Sequence, residues 1–395
     1  MEEKLKKLHF QLKTIAVFRG VLDTPALRAF NRYCDTDKNL KHTAMDAYSR
    51  FVFEIYNQGG NWTKIIQKSV FEDENVYVKS VAQKIGIDQH IKNSVCRELE
   101  ILSNLACLTT SDFATDLGVD ENSIPAFSSY AIDLMKAYQK RLKNIRKVGY
   151  GIFSSCGMFR LADDKKIEPI LSADKISMDS FIGYNNERNQ VVENTRAFVE
   201  GRSAANTLLC GDAGSGKSST VKAVANAFFD EGIRLIELRK DQLSLLPYVM
   251  GKIVGNPLKF IIFIDDLAFN RSDDNFSMLK AALEGSASAK ADNAVIYATS
   301  NRRHIIKESF GDREGDDVHR NDTLQETLSL AERFGLVVLF SKPNKALYLE
   351  IVHELAKRFS IEIDQTELDV KAEAFALKKG NRSARCAEQF IQSLL

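Results

Sequence analysis

Apolar residues follow a different spacing in each half of the chain. Up to about residue 145 they recur mainly every three to four positions, as in amphipathic helices, and proline is scarce. From residue 206 onward, short and almost continuous apolar runs alternate with helical patterns, which is typical of strands buried on both faces of a parallel sheet. The runs are NTLLC, RLIEL, FIIFID, NAVIYATS and LVVLFS. The pattern predicts a helical first half and an α/β second half.

The segment between the two halves has a third pattern. GYGIFSSCGMFRLADDKKIEPI, residues 149–170, is rich in glycine and in strand-forming residues, as expected of a hairpin or connector. We therefore expect a mainly α-helical N-terminal domain over residues 1–148, a connector with a hairpin over residues 149–175, and an α/β domain from residue 176. The five apolar runs, joined by helical crossovers, predict a five-stranded parallel sheet covered on both faces.

Composition places the chain among ordinary globular proteins. It has 395 residues, 44% hydrophobic and 27% charged, enough for two or three domains with sizeable cores. The formal net charge of +1 excludes attraction of the whole molecule to nucleic acid or a membrane, so such a preference would need a local patch. The charged start lacks the apolar core of a signal peptide, no run reaches membrane-spanning length, and the six cysteines form no CxxC pair. We expect a cytoplasmic protein with reduced thiols and no membrane contact.

A glycine-rich stretch follows the first apolar run, in LLCGDAGSGKSSTVKAV, residues 208–224. Gly211, Gly216, Lys217 and Ser218 match GxxxxGK[S/T], in which glycines let backbone N–H groups face phosphate oxygens at a helix N-terminus. The alternative is an incidental glycine-rich turn, but the flanking strand and helix patterns favour binding of a nucleoside triphosphate. The residues expected to hold it are Gly211, Asp212, Ala213, Gly214, Ser215, Gly216, Lys217, Ser218 and Ser219.

A pair of carboxylates ends the third apolar run, FIIFIDDL. A buried strand that ends in Asp265 and Asp266 delivers both side chains to the carboxyl edge of the sheet, beside the phosphate loop. Phosphoryl transfer depends mainly on positioning and charge compensation. We therefore predict that Asp265 and Ser218 hold Mg²⁺ and that Asp266 polarises the attacking water. The alternative is a strand that simply ends in two solvated acids.

Four further stretches make the pattern more specific. YATSN ends the fourth run at Asn301, LAERFGLVVLF sets Arg333 before the fifth, GNRSARCAEQFI sets Arg385 early in the last helical pattern, and FIGYNNER precedes the first run. In this order and spacing they resemble an AAA+ ATPase over residues 176–395. The strings FIIFIDDLAF, LKAALEGS, IYATSNRRHI and SLAERFGL also resemble a bacterial family of AAA+ ATPases whose role is largely undefined.

The resemblance implies a fold and a set of roles. The fold would be an α/β P-loop AAA+ core over residues 176–343, followed by a small C-terminal helical lid over residues 344–395. Asn301 would be the first sensor, Arg333 the finger that reaches the γ-phosphate of a neighbouring subunit, and Arg385 the second sensor. A homo-oligomer with shared ATP sites would follow from Arg333. The residues that would border the adenine are Phe181, Ile182, Gly183 and Tyr184.

Some of these residues have alternative interpretations. Arg333 could instead cap a helix C-terminus, and Arg382, three residues before Arg385 on nearly the same helix face, could be the second sensor. Tyr248, in LPYVMGKI, could be the pore-loop aromatic of a threading unfoldase, but the helical spacing of the apolar residues around it favours a short helix. Asp266 stands where such ATPases more often have glutamate, which indicates slow, switch-like turnover.

Two functions therefore stay open. The first is a Mg²⁺-dependent ATPase that assembles through Arg333 and remodels an unidentified protein or nucleic-acid partner. The second is an ATP-gated adaptor or loader that binds nucleic acid through the N-terminal half and uses hydrolysis only as a reset. The second would use MKAYQKRLKNIRK, residues 135–147, which carries six cations around Tyr138 and no acid. A solvated helix face is the other interpretation of this segment.

Overall fold

The computed structural model describes residues 2–171, 176–267, 279, 283, 291–301 and 333–395. All four strings that resemble the bacterial family extend partly outside these residues. The chain divides into two compact units: Met1–Ser155 with Gly255–Pro257, and Cys156–Val254 with Leu258–Leu395. The division at residue 155 falls inside the segment 149–175 that the sequence assigns to a connector.

The first unit is helical, which confirms the prediction for the first half of the chain. Apolar residues at three- and four-residue spacing give the helices buried sides, and these sides meet in one large cluster. The helices are α1 (Glu2–Leu12), α2 (Pro25–Asp35), α3 (Lys41–Tyr56), α4 (Trp62–Glu72), α5 (Val76–Gln83), α6 (Gln89–Ala106), α7 (Thr110–Leu117), α8 (Leu134–Lys143) and α9 (Ile145–Val148).

Aromatic side chains occupy the centre of this cluster. Trp62 is fully buried, its ring meets that of Phe51 edge-on at 4.9 Å, and its Nε1–H donates to the carbonyl oxygen of Leu105 at 2.7 Å. The ring of Phe113 lies 5.2 Å from Phe51 and 6.2 Å from Phe30. Such pairs add directional packing to the burial of apolar area. The first unit thus has a hydrophobic core of its own.

Within the described residues, the second unit is built on a seven-stranded sheet in the order β2-β1-β4-β5-β6-β3-β7. The predicted five-stranded parallel sheet is confirmed as β4-β5-β6-β3-β7. The connector forms a hairpin whose strand β1 pairs in parallel with β4, so the sheet is wider than predicted. The strands are β1 (Met158–Leu161), β2 (Ile167–Pro169), β3 (Thr207–Gly211), β4 (Ile233–Leu238), β5 (Lys259–Ile264), β6 (Ala294–Ser300) and β7 (Leu336–Phe340).

Helices accompany the sheet and follow it. Those between the strands include α10 (Asn185–Val199), α11 (Lys217–Ala227) and α12 (Leu246–Ile253). The helices that follow β7 form the predicted C-terminal lid: α13 (Lys345–Arg358), α14 (Gln365–Lys379) and α15 (Ala384–Gln392). In α12, Val249 and Met250 are buried while Tyr248 is exposed, so Tyr248 lies on the predicted short helix. None of the helices in the described ranges has both the length and the apolar character needed to cross a membrane.

The strand order determines which residues meet at the carboxyl edge of the sheet. In the register of the central strands, Cys210 of β3 lies beside Ser300 of β6, and Ile264 of β5 lies beside Ala298 of β6. The residues that follow these strands therefore lie next to one another, at the edge where open α/β sheets bind ligands. The sheet and its flanking helices share one buried apolar cluster, and the three lid helices enclose another.

Candidate functional site

The glycine-rich loop runs from the end of β3 into the N-terminus of α11. A Cβ atom at Gly211 would collide with the carbonyl oxygen of Phe340 on β7, so only glycine allows the two strands to pair here. Gly216 is the N-cap of α11 and has a left-handed φ of +86°, which turns the chain from the loop into the helix. The loop therefore has the strand–loop–helix context that a phosphate-binding loop requires.

The ammonium group of Lys217 lies at the centre of this loop. The residue is only 5% exposed, and Nζ donates to the carbonyl oxygens of Gly211 at 3.0 Å and Asp212 at 2.8 Å. It also donates to Oδ1 of Asn301 at 3.1 Å and lies 3.4 Å from the Ser215 hydroxyl. Burial lowers the pKa of Lys217 below its usual value. The loop and Asn301 thus hold a buried cation at the carboxyl edge of the sheet.

The two carboxylates after β5 have different surroundings. Asp265 Oδ1 accepts hydrogen bonds from the hydroxyls of Ser218 at 2.6 Å and Thr299 at 2.5 Å. Asp266 Oδ1 accepts from Nδ2 of Asn301 at 2.7 Å, and the backbone N–H of Asp266 donates to the Thr299 hydroxyl at 3.0 Å. A hydroxyl and a carboxylate oxygen in contact are donors that suit Mg²⁺ beside phosphates, so Ser218 and Asp265 fit this ion.

Asp266 has an unusual backbone conformation, with a left-handed φ of +52°. Aspartate and asparagine tolerate this region better than most residues. The turn directs the Asp266 carboxylate to Asn301 rather than to the Ser218–Asp265 pair. The two acids therefore occupy separate positions at the same edge of the sheet.

A cavity of about 150 Å³ separates the phosphate loop from the lid, and its lining includes Phe181, Ile182, Gly214–Gly216, Ser219 and Arg385. Gly183 and Tyr184 do not line it. Tyr184 is buried against Phe340 at 5.3 Å, and its hydroxyl donates to the carbonyl oxygen of Ser341 at 2.7 Å. Small-molecule sites usually enclose about 300–1,000 Å³, so a nucleotide would need the lid or the lining side chains to move.

The two lid arginines lie in different surroundings. Arg382 forms a two-pronged ion pair with Glu373, with nitrogen–oxygen distances of 3.0 and 2.6 Å. Arg385 lines the cavity, its backbone N–H lies 3.4 Å from the Gly214 carbonyl oxygen, and a Cβ at Gly214 would be 3.1 Å from its own Cβ. Of the two, Arg385 lies beside the phosphate loop.

Arg333 lies away from the phosphate loop of its own chain. It stands just before β7, whose first residue, Leu336, pairs with Thr207 at the start of β3, whereas the loop follows the end of β3. Because the strands are parallel and rise about 3.3 Å per residue, the length of β7, roughly 15 Å, separates Arg333 from the loop. The segment 302–332, between Asn301 and Arg333, lies outside the described residues.

Two residues at the site, Thr299 and Arg188, are assigned no role by the sequence motifs described above. Thr299 lies inside the run that ends in Asn301, and only the register of β5 against β6 places its hydroxyl on Asp265. Arg188 belongs to the FIGYNNER stretch and lines the cavity, but no template assigns a role to it. The alternation of inward and outward side chains along β6 was the available signal for Thr299.

The basic segment after residue 134 has a buried aromatic residue and exposed cations. Tyr138 is 2% exposed and belongs to the core of the first unit, so it is not available for stacking on a base. Arg141 is half-buried and lies over the ring of Phe71 at 4.9 Å. The exposed cations are Lys136, Lys140, Lys143, Arg146 and Lys147.

Residues 154–395 match a family described as "Protein of unknown function (DUF815)". The chain belongs to this family. The match includes the phosphate loop, both aspartates, Asn301, Arg333 and the lid, and it confirms the resemblance to a family of undefined role. No curated protein matches the sequence.

Solved structures with some likeness to the chain include the RuvB Holliday junction branch migration motor of Thermotoga maritima. It is 13% identical over 55% of this chain and 72% of its own, with a TM-score of 0.34. A single-substitution variant of that protein is also 13% identical, over 55% and 71%, with a TM-score of 0.33.

Proposed function

We propose that the chain is an ATP-binding AAA+ protein that hydrolyses ATP to ADP and phosphate slowly, with Mg²⁺, and works as an oligomeric remodelling switch. The observation that supports this most is the convergence of Lys217, Asp265, Asp266 and Asn301 at one edge of the sheet. A cation, a metal-binding carboxylate and a second acid at a phosphate loop are the parts that phosphoryl transfer to water requires.

In the proposed reaction, each residue acts on a defined group. Lys217 exchanges its carbonyl partners for oxygens of the β- and γ-phosphates. Ser218 and Asp265 would hold Mg²⁺, which would supply compensation of negative charge. Asp266 orients the water that attacks the γ-phosphate and accepts its proton. Asn301 contacts both Lys217 and Asp266, so a γ-phosphate that enters this space would change both contacts. Loss of the γ-phosphate would restore them, as a switch requires.

The Asp266→Asn variant tests this assignment directly. We expect it to bind ATP with wild-type affinity and to hydrolyse it about 10²–10⁴ times more slowly, because a positioned base contributes that much to a rate. Asparagine tolerates the left-handed φ at this position, so the variant should fold. Phosphate release under saturating ATP is the measurement, and Asp230→Asn, at an exposed site in the same unit, is the control. A wild-type rate in Asp266→Asn would show that Asp266 takes no part in ATP hydrolysis.

Thr299→Val tests the metal side of the site. The substitution keeps the shape of the side chain but removes the hydroxyl that donates to Asp265. We expect the Mg²⁺ concentration for half-maximal hydrolysis to rise about 10–100-fold, the usual effect of losing a partner of a metal ligand. The control is Thr195→Val, which removes a buried hydroxyl bonded to Tyr297. An unchanged Mg²⁺ dependence in Thr299→Val would contradict the assignment of Asp265.

The exposed basic segment favours a second candidate function. Five cations between residues 136 and 147 are exposed, and the sequence has no acid between Asp133 and Asp163. Such a surface suits the phosphates of a nucleic acid and supports an ATP-gated adaptor or loader that binds through the first unit. ATP hydrolysis measured with and without DNA, RNA or protein fractions separates the two candidates. Nucleic acid that binds but does not change turnover favours the adaptor, whereas stimulation by a protein partner favours the remodelling ATPase.

A further inference from the structure

Arg188, in the first turn of α10, is a buried cation to which no sequence motif assigns a role. It is 4% exposed, and its guanidinium carbon lies 4.3 Å from the centre of the Phe181 ring. Its Nη1 donates to the carbonyl oxygen of Gly183. A Cβ atom at Gly216 would lie 3.5 Å from its Nη2. The guanidinium therefore lies between the Phe181 ring and the phosphate loop, where it lines the cavity.

Among the described acids, the neighbouring Glu187 acts on the charge of Arg188 without forming an ion pair with it. Among the residues that the structure describes, no carboxylate oxygen lies within ion-pair distance of its guanidinium, and the buried Nε has no hydrogen-bond partner. Burial lowers the pKa of Arg188 to about 10, which still leaves it charged at neutral pH. A buried cation that makes no direct ion pair is costly unless a bound anion compensates it.

We propose that Arg188 binds the α-phosphate of the nucleotide, an inference that rests on the proposed ATP site. Lys217 lies beside Asn301, Asp212 and Ser215 at the end of the loop where the γ-phosphate would lie. Arg188 lies across Gly216, beside Phe181, at the end expected to hold the base. The phosphate nearest the base is the α-phosphate. The unpartnered Nε and the neighbouring Nη2 form the fork that binds two phosphate oxygens.

A purely structural role for Arg188 predicts different behaviour. In that case its stacking on Phe181 and its bond to Gly183 would stabilise the fold, and removal of the side chain would lower the melting temperature with or without nucleotide. If Arg188 is kept for an anion, removal of the buried charge should leave the melting temperature of the nucleotide-free protein unchanged or higher. The nucleotide-induced rise in melting temperature should then shrink.

The experiment compares Arg188→Met, Arg188→Lys and wild type in the full chain. Thermal melting is measured without ligand, and calorimetric titration gives the dissociation constants of ATP, ADP, AMP and adenosine. We expect Arg188→Met to weaken all three nucleotides by about 10–100-fold, the loss expected for hydrogen bonds to a charged group, and to leave adenosine unchanged. Arg188→Lys, which keeps the charge but loses the fork, should recover part of the loss. Arg196→Met, on the same helix with its side chain over Phe228, is the matched control.

The possible results distinguish a failure of the inference about Arg188 from a failure of the proposed ATP site. Equal nucleotide affinities in wild type and Arg188→Met would overturn the inference and leave the ATP site intact. If Arg188→Met weakened the binding of adenosine as much as that of the nucleotides, the inference would also be overturned, because Arg188 would then not act through the α-phosphate. A lower melting temperature with unchanged affinities would assign Arg188 a structural role. A wild-type protein that binds none of the nucleotides would overturn the proposed function itself.

Discussion

Replacement of Lys217 with alanine should lower the affinity for ATP roughly a hundredfold or more, because two charge-assisted contacts to the β- and γ-phosphates are lost together. Lys217 is the cation of the loop motif, and its Nζ already lies within hydrogen-bond distance of loop and Asn301 oxygens. Asn301 would lose the same partner, so the variant should also fail to hydrolyse ATP at concentrations that saturate the wild type. Calorimetric titration with ATP and Mg²⁺ is the measurement.

The same helix offers a control for this prediction. Lys222 belongs to α11, is partly exposed, and lies 3.7 Å from Glu237 rather than in the loop. Lys222→Ala should therefore bind ATP as the wild type does. Unchanged ATP affinity in Lys217→Ala would contradict the assignment of residues 211–219 as a phosphate loop, and the functional proposal would fall with it.

Arg333→Ala should fold and bind ATP but hydrolyse it about 10³–10⁵ times more slowly, the effect of removing an arginine finger. The whole of β7 separates Arg333 from the loop of its own chain, so we expect the charge to act on the ATP of a neighbouring subunit. The rate per wild-type subunit should therefore rise with protein concentration. Arg202→Ala, which removes an exposed arginine paired with Glu200, should have little effect on this rate.

Mixing two inactive variants separates a shared site from a structural role. Arg333→Ala keeps an intact phosphate loop, and Lys217→Ala keeps an intact Arg333. Some interfaces in the mixture therefore pair an intact loop from one subunit with an intact Arg333 from the other. Part of the turnover should return under conditions that allow subunits to exchange. If the mixture stays inactive and the wild-type rate per subunit does not depend on concentration, Arg333 does not act across an interface. It then caps or packs a local element instead.

Each part of the site that the sequence predicted is a short continuous segment of the chain. The loop from Gly211 to Ser219 is a single segment with a template, and Asp265 and Asp266 end a strand that its apolar residues define. Their relative position follows from one rule, that parallel strands deliver their carboxyl ends to the same edge. The helical half and the helical spacing around Tyr248 could be predicted for a similar reason, because a period of 3.6 residues is a local property.

The parts that the sequence missed depend on contacts between distant segments. Thr299 reaches Asp265 only because β5 and β6 pair in one register, and a shift of one residue would turn its side chain to the other face. Arg188 stacks on Phe181, which is only seven residues before it. Gly216 is much further along the chain, and only the fold brings it beside this pair. The position of β1 between β2 and β4 and the burial of Tyr138 are likewise set by packing between elements.

The lid has an apolar core separate from that of the sheet. We therefore expect its helices to open as a unit, at a free-energy cost set by their own packing, while the sheet stays folded. A nucleotide in the cavity that both parts line would oppose this opening by mass action. The fraction of molecules in which residues 345–392 are ordered would then rise with the nucleotide concentration. The lid would therefore respond to the concentration of nucleotide even when no hydrolysis takes place.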